Sequence, residues 1–153
     1  MKKFNLSINT IIILLFLSIK PLHSAEMTDP IKVDWSFKGL TGTFDRASLQ
    51  RGFQVYKEVC SSCHSMQYLS YRNLGESGGP EFTEAEVKAI AASFEVTDGP
   101  DSQGEMFTRP GRPSDMFVSP HPNKEAAAAA NGGAYPPDMS VLVKARKGGA
   151  DYI

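Results

Sequence analysis

The chain of 153 residues is poor in cysteine, histidine and tryptophan, with two, three and one of them. It has no strong excess of either charge, because 16 basic and 17 acidic residues leave a formal net charge of -1. A near-neutral total does not favour a nucleic-acid-binding protein, which typically carries a basic surface. Two cysteines are too few for the dense disulfide framework of a small secreted scaffold. The composition is therefore that of one ordinary globular domain.

A short apolar run lies near the N-terminus, at residues 11–17. Two lysines precede it at positions 2 and 3, and small residues follow at positions 24 and 25. This order is typical of a secretory signal peptide, which we assign to residues 1–25. The run is shorter than the about 20 residues that a membrane-spanning helix needs. An uncleaved N-terminal anchor is the alternative.

The exported domain would then consist of residues 26–153. Removal of residues 1–25 takes away three lysines and no acidic residue, which leaves 13 basic and 17 acidic residues and a net charge of -4. An acidic domain favours a basic partner. Export also moves the two cysteines out of the reducing cytoplasm.

Two segments have the apolar spacing of amphipathic helices. Residues 82–94 begin with a capping box formed by Thr83 and Glu86, in which each side chain accepts a hydrogen bond from a backbone N–H of the other. Residues 45–60 begin at Asp45, whose carboxylate can cap the first turn. The apolar face of this helix holds Leu49, Phe53, Tyr56 and Cys60.

Two shorter helices are predicted towards the C-terminus. One covers residues 123–133 with its first residue as N-cap, and the other covers residues 136–149, capped by Asp138 and ended by Gly148. Glycine and proline punctuate residues 98–122, which predicts an irregular segment that wraps around the domain. Because little strand alternation is visible, we predict an all-α fold with long irregular loops.

Both cysteines lie in the sequence CSSCH, at residues 60–64. Two thiols one helical turn apart can add to the two vinyl groups of one haem, and the histidine that follows can then bind the iron. The spacing is therefore typical of a c-type haem attachment site, with Cys60 and Cys63 as the anchors and His64 as the proximal ligand.

Three other interpretations of the CxxC pair remain open. A thioredoxin-like pair normally follows a strand in a βαβ unit, and no such pattern is visible. A zinc site needs four ligands, but only His23 and His121 are available besides the motif, and His23 lies in the predicted signal peptide. A structural disulfide would not require His64. The histidine next to the second cysteine favours haem over all three.

Iron in an electron-transfer haem usually has a second axial ligand, often methionine. A lone methionine is more often a packing residue than a ligand, so position alone does not single one out. Met66 lies too close to His64 in the sequence to reach the opposite face of the haem. The remaining candidates are Met106, Met116 and Met139.

Three segments together resemble the cytochrome c1 family, the c-type haem subunit of the cytochrome bc1 complex. They are residues 51–74, "RGFQVYKEVCSSCHSMQYLSYRNL", residues 98–117, "DGPDSQGEMFTRPGRPSDMF", and residues 131–153, "NGGAYPPDMSVLVKARKGGADYI". The resemblance covers most of residues 35–153. It implies a haem domain like that of class I cytochromes c, with haem c attached covalently.

The resemblance also implies a role for particular residues at the haem. Pro137 offers its carbonyl to the ring N–H of His64, a contact that fixes the histidine tautomer. Arg146 can form a forked pair with a haem propionate, although a solvated charge at a helix end is the alternative. The implied cofactor-binding residues are Cys60, Cys63, His64, Asn131, Pro137, Arg146 and Tyr152.

The activity implied is transfer of one electron from the Rieske iron–sulfur protein to cytochrome c, in a complex that also contains cytochrome b. The chain would be no enzyme on its own, and it would lie on the periplasmic side of the bacterial inner membrane. A group of acidic side chains could steer a basic cytochrome c towards the haem, or could simply form a solvated loop. These residues are Glu95, Asp98, Asp101 and Glu105.

The chain departs from the family at one place. In the family, the distal methionine and a C-terminal membrane helix lie downstream of the "GGADY" segment, which here occupies residues 148–152. We therefore interpret residues 26–153 as the N-terminal part of a cytochrome c1 and predict that none of the methionines named above is the native distal ligand. The alternatives are a free periplasmic class I cytochrome c, a thiol oxidoreductase and a truncated product without function.

Overall fold

The computed structural model describes residues 29–153, so the predicted signal peptide lies outside the described residues. Within that range, four α-helices and two β-strands are joined by irregular segments and 3-10 turns. None of these helices is long and apolar enough to span a bilayer. The helices are α1 Arg46–Glu58, α2 Glu84–Ala92, α3 Lys124–Ala130 and α4 Leu142–Ala145, and the strands are β1 Glu95–Asp98 and β2 Phe107–Pro110. The 3-10 turns are Cys60–Ser62, Tyr71–Gly75 and Gly149–Tyr152.

Side chains cap three of the helices where the sequence predicts caps. Asp45 Oδ1 accepts a hydrogen bond from the Ser48 N–H at 2.7 Å and so begins α1. The capping box of α2 is complete, with Glu86 Oε2 accepting from the Thr83 N–H at 2.8 Å. Asn123 begins α3 by accepting from the backbone of the first turn. These three helix starts are confirmed.

The hydrophobic core joins α1, α2 and the segment that follows the two strands. Phe117 is buried at its centre, with ring centroids 4.8 Å from Tyr71 and 5.9 Å from Tyr56. Partly buried Cys60 packs against this cluster, so the CxxC turn rests directly on the core. The core consists of Tyr56, Tyr71, Leu74, Val87, Ala91 and Phe117.

The all-α prediction is only partly right, because a small two-stranded sheet accompanies the helices that dominate the fold. Strands β1 and β2 are antiparallel, with Glu95 opposite Pro110 and Asp98 opposite Phe107. Each strand has only four residues, too few for a clear alternation of polar and apolar residues. The irregular-wrap prediction for residues 98–122 is therefore wrong for β2, although Phe117 does pack into the core as that prediction expects.

Arg109 on β2 ties the hairpin to the segment that leads into the core. Its Nε donates to Asp98 Oδ2 at 2.5 Å, and its two terminal nitrogens donate to the Asp115 carboxylate at 2.7 and 3.0 Å. Only 14% of the Arg109 side chain is exposed. These hydrogen bonds from Arg109 lower the pKa of Asp115 to about 2.

The C-terminal helix is shorter than predicted. Residues 136–149 form only one helical turn, α4, which follows Val141 and ends as Arg146 becomes extended. Asp138 does not cap this helix, because its carboxylate is bound to other backbone and side-chain groups. Gly148 adopts a φ of +100°, a conformation that glycine tolerates, but it precedes the 3-10 turn Gly149–Tyr152 and does not end α4, so its predicted role as the helix end is wrong.

The first residues that the structure describes are bound to the other end of the described range. Asp151 Oδ1 accepts hydrogen bonds from Trp35 Nε1 at 2.6 Å and from the Val33 N–H at 3.1 Å. Hydrogen bonds from Val33 and then Trp35 hold the pKa of Asp151 below its usual range. The Trp35 ring stacks on Phe37, whereas Leu40 is exposed.

Replacing Asp151 with alanine is expected to release Trp35 and shift its fluorescence emission to longer wavelength, because the indole N–H loses its acceptor and meets water. The chain has one tryptophan, so the emission reports on this contact alone. Asp34→Ala is the matched control, since it removes a neighbouring exposed carboxylate. Identical emission spectra for Asp151→Ala and the unaltered chain would show that the contact does not order the segment.

Candidate cofactor site

The CSSCH sequence forms a tight turn directly after α1. Its 3-10 geometry brings the His64 N–H within 2.8 Å of the Cys60 carbonyl oxygen and the Cys63 N–H within 3.2 Å of it. Both thiols are free, with Cys60 partly buried and Cys63 exposed. One turn of backbone thus carries both sulfurs and the imidazole.

The His64 ring is oriented by one strong contact. Its Nδ1 lies 2.8 Å from the Pro137 carbonyl oxygen, which can only accept, so Nδ1 carries the proton. In this tautomer the lone pair is on Nε2, and no hydrogen-bond partner for Nε2 is found within residues 29–153. A neutral imidazole held through Nδ1 with Nε2 available is the usual form of a metal-binding histidine.

Asp138 is a functional candidate that the sequence did not reveal. One oxygen of its carboxylate accepts from Ser65 Oγ at 2.7 Å and from the Gln67 N–H at 2.9 Å, and the other accepts from the Ser140 N–H at 2.9 Å. Burial raises the pKa of Asp138, but the hydrogen bonds from Ser140, Gln67 and Ser65 outweigh it and leave a lowered pKa. The Asp-x-Ser spacing signals the local turn to Ser140, yet nothing local predicts the contacts with residues 65–67.

Arg146, Tyr152 and Asn131, which the resemblance implies as cofactor-binding residues, lie in different settings. Arg146 is exposed and lies over the Tyr152 ring at 5.5 Å, and no carboxylate pairs with it within residues 29–153. Asn131 uses its side-chain N–H to cap α3, donating to the Ala127 carbonyl at 2.7 Å. The structure therefore brings Arg146 and Tyr152 together, whereas the amide donor of Asn131 is already engaged.

The candidate methionines divide into two groups. Met66 and Met139 are partly buried and pack against the hydrophobic core, which is the ordinary role of methionine. Met106 and Met116 are 60% and 55% exposed. That none of them is the native distal ligand stays a prediction.

A cavity of about 870 Å³ adjoins the motif on the side of Cys63. Tyr68, Met116, His121 and Tyr135 help to line it, but Cys60 and His64 do not. Ser65 and Asp138, which flank the contact between His64 and Pro137, also line it. Within the described range, no group of three or more His, Cys, Asp or Glu side chains has metal-site geometry, so the zinc alternative gains no support.

The residues present fit a covalently attached haem. The two thiols are free and stand one turn apart, as addition to two vinyl groups requires. The imidazole beside them has its tautomer fixed by Pro137. An apolar core lies directly beneath the turn, which suits a large aromatic cofactor.

Two of the four acidic residues predicted to steer a partner are engaged within the chain. Asp98 pairs with Arg109, and Asp101 accepts hydrogen bonds from the Gln103 and Glu105 N–H groups at 2.8 and 3.0 Å. Glu95 and the Glu105 side chain are exposed. The docking patch stays a prediction, with fewer free charges than the sequence suggests.

Comparison with known proteins identifies relatives along most of the chain. The Cytochrome C1 family model matches residues 35–153. The chain is 57% identical over 122 residues to the cytochrome c1 of Rhodospirillum rubrum, which covers 80% of this chain and 44% of that protein. It is 56% identical over 119 residues to "Cytochrome c1-2, heme protein, mitochondrial" of Solanum tuberosum, with 78% and 45% covered.

A third relative is longer. It is the "Cytochrome b/c1" protein of Bradyrhizobium diazoefficiens, 52% identical over 136 residues, which cover 88% of this chain and 20% of that protein. The chain thus spans less than half the length of each of these relatives. The family match extends over the CSSCH turn, the Pro137 acceptor and the Arg146–Tyr152 pair. The chain belongs to the cytochrome c1 family.

Proposed function

We propose that the chain is a c-type cytochrome that carries one electron at a time within a cytochrome bc1 complex. The single observation that carries this proposal is the 2.8 Å contact between His64 Nδ1 and the Pro137 carbonyl, beside two free thiols on one turn. The names of the relatives, which include "heme protein" and "Cytochrome b/c1", support it.

Each site residue has a distinct physical task in this proposal. Cys60 and Cys63 would hold haem c through thioether bonds, and the core against which Cys60 packs keeps the turn in place. His64 presents Nε2 to the iron while Pro137 prevents the ring from rotating. Haem, when bound, supplies the one-electron redox couple, and the chain supplies ligation and burial. No bond of a substrate is broken, so the chain is no enzyme on its own.

In this proposal, Arg146 and Tyr152 lie on the side of the haem propionates. The Tyr152 ring lies under the guanidinium at 5.5 Å and limits its orientations, while leaving its N–H groups free to bind a carboxylate. Asn131 contributes by ending α3, because its amide N–H donates to the Ala127 carbonyl and is not free to bind a propionate.

The partners in the proposal are the Rieske iron–sulfur protein as donor, cytochrome b as neighbour and cytochrome c as acceptor. Residues 1–25 act as a signal peptide, and residues 26–153 form the haem domain on the periplasmic side of the inner membrane. A relative named "Cytochrome b-c1 complex catalytic subunit" in Candida albicans supports a place in such a complex. The same names favour a complex subunit over a free periplasmic cytochrome c.

Replacing Cys60 and Cys63 together with serine is expected to abolish covalent haem binding, because serine hydroxyls do not form thioethers. The chain should be exported with its own N-terminal segment in bacteria that mature c-type cytochromes. Haem staining after denaturing electrophoresis measures the bound cofactor, and the α-band on reduction reports the redox couple.

Ser61→Ala and Ser62→Ala are the matched controls, since these changes lie in the same turn and leave both thiols in place. They should retain the haem stain. A wild-type chain that carries no haem but two reactive thiols would refute the proposal and support a thiol oxidoreductase.

A further inference from the structure

A ladder of hydrogen bonds joins the residues that follow the CxxC turn to the segment that contains Pro137. The Met139 N–H donates to the Ser65 carbonyl at 2.8 Å, and the Tyr68 N–H donates to Ser140 Oγ at 3.1 Å. The His64 contact with Pro137 is one rung of the same ladder. The orientation of the imidazole therefore depends on how well these two segments are aligned.

Asp138 is the centre of this ladder. Its Oδ2 binds Ser65 and Gln67 across the gap between the segments, while its Oδ1 binds Ser140 within its own segment. One half-buried carboxylate thus accepts three hydrogen bonds and connects both sides. A hydrogen bond to a charged group is typically about twice as strong as one between neutral groups, so this side chain dominates the ladder.

The connection to the imidazole runs through a single peptide plane. The Pro137 carbonyl and the Asp138 N–H and Cα belong to the same planar unit, so an anchored Asp138 side chain limits the directions that this carbonyl can take. Pro136 and Pro137 have no N–H groups, so their own backbone donors cannot anchor this stretch. The carboxylate of Asp138 is the nearest side-chain anchor for the acceptor of His64.

We infer that Asp138 is a positioning residue, which aims the Pro137 carbonyl at Nδ1 of His64 and so sets the strength of the bond between the imidazole and the haem iron. The inference rests on the proposed function. A carbonyl held in line with Nδ1–H makes the imidazole more basic and a stronger ligand. When the Pro137 carbonyl no longer points at Nδ1 of His64, the iron–nitrogen bond is weaker.

The test compares the full chain with its Asp138→Asn and Ser65→Ala variants, each carrying haem. Resonance Raman spectra are recorded on the ferrous protein just after photolysis of bound carbon monoxide, which leaves the proximal imidazole as the remaining axial ligand. The iron–imidazole stretching band is expected at lower frequency in Asp138→Asn, with a smaller shift in Ser65→Ala, which removes one rung and no charge. The reduction potential should rise in both variants, because a weaker imidazole donor stabilises the ferric iron less than a strong one does.

Asp101→Asn is the matched control, because Asp101 also accepts loop N–H groups but has no contact with residues 64–68 or 137–140. Its band should stay at the wild-type frequency. Far-ultraviolet circular dichroism of each variant separates a local change from unfolding. An unchanged band in folded Asp138→Asn and Ser65→Ala would overturn the positioning role. A wild-type chain without covalent haem would overturn the proposed function and this inference with it.

Discussion

Replacing His64 with glycine is expected to leave haem covalently attached but to remove its proximal ligand. The thioethers depend on Cys60 and Cys63, whereas the imidazole is held separately by the Pro137 carbonyl. The Soret and α-bands should therefore change from those of a histidine-ligated haem, while the haem stain after denaturing electrophoresis persists. Loss of this ligand removes the donor that sets the reduction potential, so the effect on electron transfer should be the largest of any single substitution.

Added imidazole is the control for the His64→Gly variant. The small molecule can enter the space of the missing side chain and should restore the spectrum at saturating concentration. A spectrum that is unchanged by the substitution would show that another residue is the proximal ligand.

Replacing Arg109 with methionine is expected to lower the melting temperature by roughly 5 °C. Methionine keeps much of the length of the side chain but removes the guanidinium that pairs with the carboxylates of both Asp98 and Asp115. The hairpin and the segment leading to buried Phe117 would lose their common anchor. Lys88→Met is the control, since it breaks an exposed pair with Glu84 and should change the melting temperature little.

The same variant should change the acid sensitivity of the fold. The folded-state pKa of Asp115 is about 2, below its unfolded value of 3.8, because Arg109 stabilises the carboxylate. This contribution to the free energy of unfolding is present above about pH 4 and is lost as the pH falls towards about 2. Melting temperatures should therefore decline less steeply between these values in Arg109→Met. Parallel acid profiles for the variant and the wild-type chain would contradict this.

The helix starts could be predicted from the sequence because each depends on residues three or four apart. Asp45 and the Thr83–Glu86 box act on the first turn that follows them, so local pattern and structure agree. The short strands could not be predicted in the same way. Their pairing joins residues 95–98 to residues 107–110, and Arg109 binds carboxylates 11 and 6 residues away on separate segments.

The site shows the same division between local and distant information. The CSSCH spacing is local, and it predicts the two anchors and the imidazole. The Pro137 acceptor lies 73 residues from His64, and only the resemblance to a family suggested it before the structure placed it. Local rules predict Asp138 as a helix cap, but its carboxylate accepts hydrogen bonds from Ser65 and Gln67 on a distant segment.

Mass spectrometry of the peptide that contains residues 60–64 tests most directly whether this turn anchors a cofactor. After export, purification and proteolysis, the peptide is analysed with and without prior treatment by a thiol-alkylating reagent. We predict one haem bound through the sulfurs of both Cys60 and Cys63, and no alkylation of either residue. A haem-free peptide with two alkylated thiols, or with a disulfide between them, would contradict the assignment of this turn as a haem anchor.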